Sequence, residues 1–536
     1  LVADGPDLNL ANVLLSALPI LALVVTILGL KWGAPRAGAV SWLVVAAVAL
    51  LFFGADGRLV GIGSSKGLSL SLFVLSILWT SVLLYNVIDR LGGIEVIGRT
   101  MTRLVGDPLA QALVVGWAFS GFMQGIAGFG VPVAVVAPLM VLMGFSPTRA
   151  AAIVLVGHAW AVSFGSMGSS YYTIQLVTGL PGEEIGPHMA ALFALPIVLT
   201  GLAVAHLQGG MTSVRRGAGA ILVMGGAMAV SVWLMASIGA PQIASIVPGL
   251  VGCGVGWLVL RTPLLGRRQV PEVSTPQTAP SEANSHPGAG PGFHLAFLPY
   301  YLLLIFSVLS QIPAVKSLGA ELQWGLDYPA TETALGYDED AQDDYAPIRL
   351  LRHPAPLILL SLAVTSLVYT IMGRWKPGTA VAAFRRTYDQ CVPTSVGVAT
   401  MVMMALVMTD TGMTALLGRT IADGTGPVFA LFSPYIGVLG TFMTGSNTSS
   451  NVMFGALQLE TAHTLGLGAL TVASIQSIGG SLGSSIAPAK VLVGTAIVGL
   501  SGREHEVLRR TIPYCLGIVL LVGIEAWVLV HVFSAK

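Results

Sequence analysis

The chain has 536 residues, of which 54% are hydrophobic and 10% charged, with a mean hydropathy of +0.81. Soluble domains carry about 25% charged residues, so this composition excludes one and predicts an all-α polytopic membrane protein. A formal net charge of +1 offers no basic field for nucleic acid, and Cys253, Cys391 and Cys515 lie far apart in apolar runs, with neither a disulfide framework nor a zinc spacing.

No basic segment followed by a small-residue cleavage site opens the chain, so no signal peptide is expected. Uninterrupted apolar windows predict spans near 10–30, 37–53, 68–88, 186–207, 217–239, 241–260, 294–312, 355–373, 392–409 and 511–533. Four further stretches, 108–144, 148–180, 426–458 and 466–500, are apolar but broken by Gly, Pro and Ser. The total is about 12–14 membrane segments.

Positive residues stay on the cytoplasmic side of a membrane. They gather here at Lys31 and Arg36, at Arg90, Arg99 and Arg103, at Arg215 and Arg216, and at Arg261, Arg267 and Arg268. Further groups are Arg374, Lys376, Arg385 and Arg386, and then Arg503, Arg509 and Arg510. This pattern puts both termini outside. Loop 319–346 carries Asp327, Asp338, Glu339, Asp340, Asp343 and Asp344 without Lys or Arg, as suits a solvated external loop, and it lacks the spacing of a calcium-binding EF-hand. Residues 271–292, rich in Pro, Ser and Gly, cannot bury enough surface to fold. They predict a flexible cytoplasmic linker between an N-terminal membrane repeat, 1–270, and a C-terminal one, 293–536.

Two motifs recur in the same order across that linker. Phe122-Met123-Gln124-Gly125 returns as Phe442-Met443-Thr444-Gly445, and GSMGSS at 165–170 returns as GSLGSS at 480–485, at offsets of 320 and 315 residues. The loop assignments make the segment before Phe122 enter from the cytoplasm and the one before Phe442 from outside. Two inverted-topology repeats with broken helices or re-entrant hairpins are therefore expected, the architecture of a transporter with its site near the bilayer midplane.

The breaks have suitable chemistry. Gly125, Gly128 and Gly130 permit an unwound turn, Pro132 and Pro488 can restart helices, and six consecutive polar residues, Ser446 to Asn451, interrupt an apolar run. Such polar groups are costly in hydrocarbon unless they face a cavity or ligand. Close helix packing through small residues is the competing account of the two GSxGSS motifs.

These residues resemble the L-lactate permease family, which carries lactate and glycolate. The matching stretches are GFMQGIAGFGVPVAVVAPLM (121–140), SFGSMG (163–168), FSPYIGVLGTFMTGSNTSSNVMFGALQ (432–458) and AIVGLSGREHEVLRRTI (496–512). The resemblance implies a secondary transporter of 2-hydroxy monocarboxylates, coupled to a proton, in the cytoplasmic membrane of a prokaryote. It also implies alternating access of the elevator type, a homodimer, and no cofactor. Three positions depart from the family pattern: Gln124 stands where Glu is usual, Asn447 where Asp is usual, and Ser484 where Lys is usual. Amides do not titrate near neutral pH, so proton coupling cannot run through Gln124 or Asn447. Ser446-Asn447-Thr448 also resembles a signature of sodium-coupled carboxylate symporters, so a sodium ion at the Ser446 to Asn451 break stands beside the proton, as does a different small carboxylate or sulfonate as substrate.

The expected substrate site comprises Gln124, Gly128, Gly130, Ser166, Ser169, Ser170, Tyr171, Ser446, Asn447, Thr448, Ser449, Ser484, Ser485 and Lys490. Lys490, ionisable within an apolar segment, either pairs with the substrate carboxylate or snorkels to an interface. Coupling-ion candidates are Asp410, His158, Asn447 and Asn451. Asp410 either balances Lys490, binds the cation, or sits among the outer headgroups; His158 either titrates or packs. Tyr171 and Tyr172 line a cavity or belong to an interfacial belt. Glu460 and His463 fall in an expected loop, and Glu525 receives no role. A membrane hydrolase lacks its nucleophile turn and zinc motif here, so no enzyme is expected, and duplicated broken helices favour a carrier over a channel.

Overall fold

The computed structural model describes residues 7–103, 106–128, 130–259, 262, 291–320 and 322–533. Phe129, Arg261, Arg267, Arg268 and linker residues 271–290 lie outside the described residues. The first half contains helices α1 (Leu10–Val24), α2 (Ala34–Phe52), α3 (Gly57–Arg90), α4 (Gly93–Arg103), α5 (Pro108–Gln111), α6 (Ser120–Ile126), α7 (Val131–Leu142), α8 (Pro147–Gly157), α9 (Gly165–Thr178), α10 (Gly182–Leu192), α11 (Ala194–Ser237) and α12 (Ile246–Val259). A buried π-helical stretch, Ala112–Phe119, joins α5 to α6. The second half contains α13 (Phe293–Leu309), α14 (Pro313–Ala320), α15 (Pro354–Ile371), α16 (Thr379–Asp410), α17 (Met413–Thr425), α18 (Phe429–Thr444), α19 (Asn447–Leu465), α20 (Ala469–Gly483), α21 (Pro488–Ile497) and α22 (Glu504–Val528).

Among the described residues nine helices are long and apolar enough to cross a membrane, or ten if the bent pair α8–α9 counts as one. α7, α12 and α13 are shorter apolar helices. The expected span 186–207 runs from α10 into α11 and 217–239 falls on the second part of α11, which kinks at Gly209 and Gly210; Gly210 has φ 68°, a conformation glycine adopts without strain.

The external loop is not structureless. Strands β1 (Gln323–Tyr328) and β4 (Gln342–Arg349) pair antiparallel around a smaller pair, β2 (Thr331–Glu332) and β3 (Asp338–Glu339). Tyr328 anchors this hairpin to α3, its hydroxyl 3.0 Å from Ser65 Oγ and 2.7 Å from Ser69 Oγ.

α3 and α16 form the spine of the molecule. They run antiparallel: Asn86 Nδ2 donates to Thr387 Oγ1 and Gln390 Oε1 at 3.0 Å, Trp79 Nε1 donates to Ser395 Oγ at 2.9 Å, and Lys66 pairs with Asp410 at 3.2 Å. Gly67 lets the backbones touch, since a Cβ there would lie 2.6 Å from Met403 Cα. At one end Asp89 meets Arg386 at 2.8 Å, so two basic groups expected on a single side lie together. Ser65 and the hairpin lie roughly 37 Å further along, at a rise of about 1.5 Å per residue. The molecule thus has a basic face, near Arg90 and Arg386, and a hairpin face.

Candidate functional site

Four helices are interrupted. The first break, at Ala127, Gly128 and Gly130, separates α6 from α7; Gly130 sits at φ 81° and Pro132 lies in the first turn of α7. The second joins α8 to α9 through a 49° bend, and Ser166, Met167 and Gly168 are all left-handed, with φ of 48°, 56° and 80°. Left-handed geometry costs an ordinary residue roughly 1–2 kcal/mol, so Ser166 and Met167 are held there by their surroundings. The third break is Gly445 and Ser446, whose hydroxyl caps α19 by accepting from Ser449 N at 3.3 Å. The fourth, 484–487, ends at Pro488 of α21.

The first and third breaks are the tips of helical hairpins. Gly116, before the first break, packs on Met140 of α7, with its Cβ position 3.1 Å from the sulfur. Leu139 of α7 packs against Gly98 of α4, which follows α3 at the basic face. In the third, Ser450 Oγ donates to Gly437 O at 2.8 Å and Gln458 Nε2 to Ser433 O at 3.1 Å, so α18 and α19 are antiparallel. The far end of α19 lies toward the hairpin face, where Glu460, Glu339 and Asp410 line one cavity.

The breaks converge through buried serines and amides. Ser163 and Ser477 hydroxyls are 2.9 Å apart, and Ser481 Oγ accepts from Val162 N and Ser163 N at 3.2 Å while donating to Ala159 O at 2.5 Å. Asn447 Nδ2 donates to Ser163 Oγ and Ser477 O at 3.2 Å. Asn451 Nδ2 donates to Ser170 O at 2.9 Å and Ser477 Oγ at 3.0 Å, and Ser170 meets Thr448 at 3.0 Å. The acceptors at Ser477 O and Ser170 O fix both amide orientations. Asn447 Oδ1 and Asn451 Oδ1 are then left without a hydrogen bond, as are Gln124 Oε1 and Ser484 Oγ, all on residues no more than 2% exposed. Buried polar atoms without partners are uncommon and call for an explanation.

In each half an amide packs on the first glycine of the GSxGSS motif. A Cβ at Gly165 would lie 2.7 Å from Gln124 Nε2, and one at Gly480 would collide with Asn447 Oδ1. Gly128 faces Ser166 in the same manner, because its Cβ would run into Ser166 Oγ. Gly128→Ala is therefore expected to lower the melting temperature in detergent by several degrees, and Ser166→Ala in the same chain to restore most of it. No rescue would show that the clash is not the cause.

Of the other expected residues, Ser169 is buried, with its carbonyl bonded by Thr173 Oγ1 at 2.8 Å. Ser485 turns its hydroxyl back onto Leu482 O at 2.7 Å. Tyr171 donates to Gly182 O at 2.9 Å and lines a separate cavity with Tyr172. Ser163, Ser477 and Ser481 join the site although they were not among the expected site residues; Ser163, which opens SFGSMG, and Ser481, inside GSLGSS, carried a signal.

Lys490 lies in the first turn of α21 and is 6% exposed. Its neighbour Ala489 lies 3.1 Å from the Cβ position of Gly445, and Val493, one turn on, 3.4 Å from that of Gly130. The first turn of α21 therefore lies against both hairpin tips, and among the described residues Lys490 is in no ion pair. His158 lies within its electrostatic reach, with Nδ1 donating to Val154 O at 2.7 Å and Nε2 unpartnered.

Asp410 does not balance Lys490. It pairs with Lys66, both side chains at most 2% exposed, because the antiparallel crossing carries it to α3 rather than to the breaks. The span expected at 68–88 starts at residue 57, so Lys66 lies inside the helix. Glu460 and His463 belong to α19 rather than to a loop, and Glu525 Oε2 is buried without a partner. A cavity of about 550 Å³ joins Asp410 and Glu460 to Glu339 of the hairpin. Burial first, and then Asp410, hold the Glu339 carboxyl above the usual carboxylate range, so it retains a proton more readily than an exposed glutamate.

Membrane-length helices surrounding four interrupted ones, with an unpaired cation and orphaned amides at their junction, define a membrane transporter rather than an enzyme. The L-lactate permease family model matches residues 12–533, so the chain belongs to the L-lactate permease family. The L-lactate permease of Bacillus subtilis is 29% identical over 482 residues, 85% of each chain. That of Escherichia coli is 28% identical over 534 residues, 95% of this chain and 94% of the relative. The glycolate permease GlcA of Escherichia coli is 25% identical over 547 residues, 98% and 96% of the two chains.

Proposed function

We propose that the protein carries L-lactate, glycolate or a similar 2-hydroxy monocarboxylate across the cytoplasmic membrane of a prokaryote by cation symport. The observation that carries this reading is Lys490, a buried cation in no ion pair among the described residues. An isolated charge at membrane depth is costly, and a monoanionic substrate offsets that cost. The carboxylate binds Lys490, while the substrate hydroxyl donates to an orphaned amide oxygen of Asn447 or Gln124. The named relatives support this substrate class.

The two halves are inverted repeats. This is supported by the hairpin tips, the first associated with the basic face through α4 and the second with the hairpin face through α19. Both termini lie outside, and the body of α6–α9 and α18–α21 moves against the α3–α16 spine in an elevator-like transition, each protomer acting within a homodimer. Asp410 takes the coupling proton: once neutral it releases Lys66, and Glu339 lies between it and the hairpin face. A sodium ion is the second reading, favoured by Asn447 Oδ1 and Asn451 Oδ1, two unsatisfied oxygens one helical turn apart. Uptake of labelled L-lactate into proteoliposomes, driven in turn by proton and sodium gradients, tests the proposal.

A further inference from the structure

The acidic hairpin segment itself carries one basic site. Between residues 317 and 373 the only Lys or Arg residues are Arg349 and Arg352, and both line a single cavity of about 380 Å³. Its walls include Tyr171, Tyr172 and His353, and the only carboxylate among its lining residues is Glu183. Neither arginine is in an ion pair among the described residues; Arg349 Nε donates only to the neutral Gln323 Oε1 at 3.2 Å. Aspartates crowd the same hairpin at 338, 340, 343 and 344, so leaving two guanidiniums without a carboxylate is a specific arrangement. His353 is 3% exposed and packs edge-on against Phe73 at 4.2 Å. Its Nδ1 accepts from Ala355 N at 3.2 Å, which puts the ring proton on Nε2. The cavity thus sets two guanidiniums against one carboxylate, Glu183, and the neutral Gln175 and Gln311.

Its position connects it to the transport site. Tyr171 and Tyr172 directly follow Ser170, whose carbonyl and hydroxyl hold Asn451 and Thr448. The cavity wall and the junction of the breaks are therefore consecutive residues of α9. The volume falls at the lower end of small-molecule sites, which span about 300–1,000 Å³.

We infer that this cavity is a capture site for the substrate carboxylate at the hairpin-face mouth, where Arg352 and Arg349 bind the anion before it passes to Lys490. The inference rests on the proposed function and adds a second, outer anion subsite to it. A planar guanidinium offers a carboxylate paired donors, and an exposed basic mouth raises the encounter rate in a manner that salt screens. Neither residue contacts the Ser163–Ser477–Asn447 junction, so their role is in capture and not in translocation.

The test is the kinetics of L-lactate uptake from the hairpin face by oriented proteoliposomes carrying wild type, Arg352→Gln, Arg349→Gln or the double variant. The double variant is expected to raise KM five- to tenfold with Vmax within twofold of wild type. Its KM should lose most of its dependence on ionic strength, and Arg352→Lys should recover part of the affinity. Entry from the opposite face should be unchanged. A double variant that folds with unaltered KM, or loses Vmax and KM equally from both faces, overturns the capture site alone. Wild type that moves neither L-lactate nor glycolate overturns the proposed function and this inference with it.

Discussion

Lys490→Gln is expected to cut L-lactate transport at least tenfold while leaving the unliganded protein as stable as wild type or more so. A charge-assisted hydrogen bond to a carboxylate contributes about 1.5–3 kcal/mol, which at about 1.4 kcal/mol per decade is roughly a ten- to hundredfold loss of affinity. Stability moves the other way because the ammonium is buried and unpaired, so a neutral amide removes a desolvation cost. Binding of L-lactate should accordingly raise the melting temperature of wild type and leave that of the variant unchanged. A variant that loses stability and affinity together would make Lys490 a structural cation with an unseen partner.

The Lys66–Asp410 pair carries the second large effect. Breaking a buried ion pair from one side leaves an uncompensated charge and costs about 3–5 kcal/mol, whereas replacing both partners with apolar residues is often close to neutral. Lys66→Met and Asp410→Leu should each destabilise the protein strongly, and the double variant should recover most of the loss. Additive losses in this cycle would mean that the two residues do not act as a pair. The coupling role separates from the structural one in Asp410→Asn: exchange of internal for external L-lactate should persist, because exchange needs no net proton movement, while accumulation driven by a proton gradient should fail. Intact gradient-driven accumulation in that variant would remove Asp410 from the coupling path.

The broken helices were legible in the sequence because glycine, proline and consecutive polar residues are conspicuous inside apolar runs. Gly130, Ser446 and Pro488 lie at breaks for the local reasons expected of them. What was not legible depends on contacts between distant residues. Ser477 is a lone hydroxyl inside α20, indistinguishable in sequence from one that merely allows close packing, and only its 2.9 Å meeting with Ser163, in the turn before α9, makes it part of the site. Lys66 preceded the apolar window that marked its span, and its pairing with Asp410 follows from the crossing of α3 and α16. The hairpin was hidden for another reason: its strands are short and acidic, the β1–β4 register shifts twice, and no clean alternation of apolar and polar residues survives.

Uptake of labelled L-lactate into proteoliposomes under imposed gradients shows whether Lys490 and the surrounding breaks carry a 2-hydroxy monocarboxylate with a coupling cation. Accumulation driven by an inward proton gradient, competition by unlabelled glycolate, and loss of both in Lys490→Gln are expected. Accumulation that requires sodium and ignores the proton gradient would transfer coupling to the Asn447 and Asn451 oxygens. Absence of L-lactate and glycolate movement under either gradient, from protein that responds to another anion, would contradict the account.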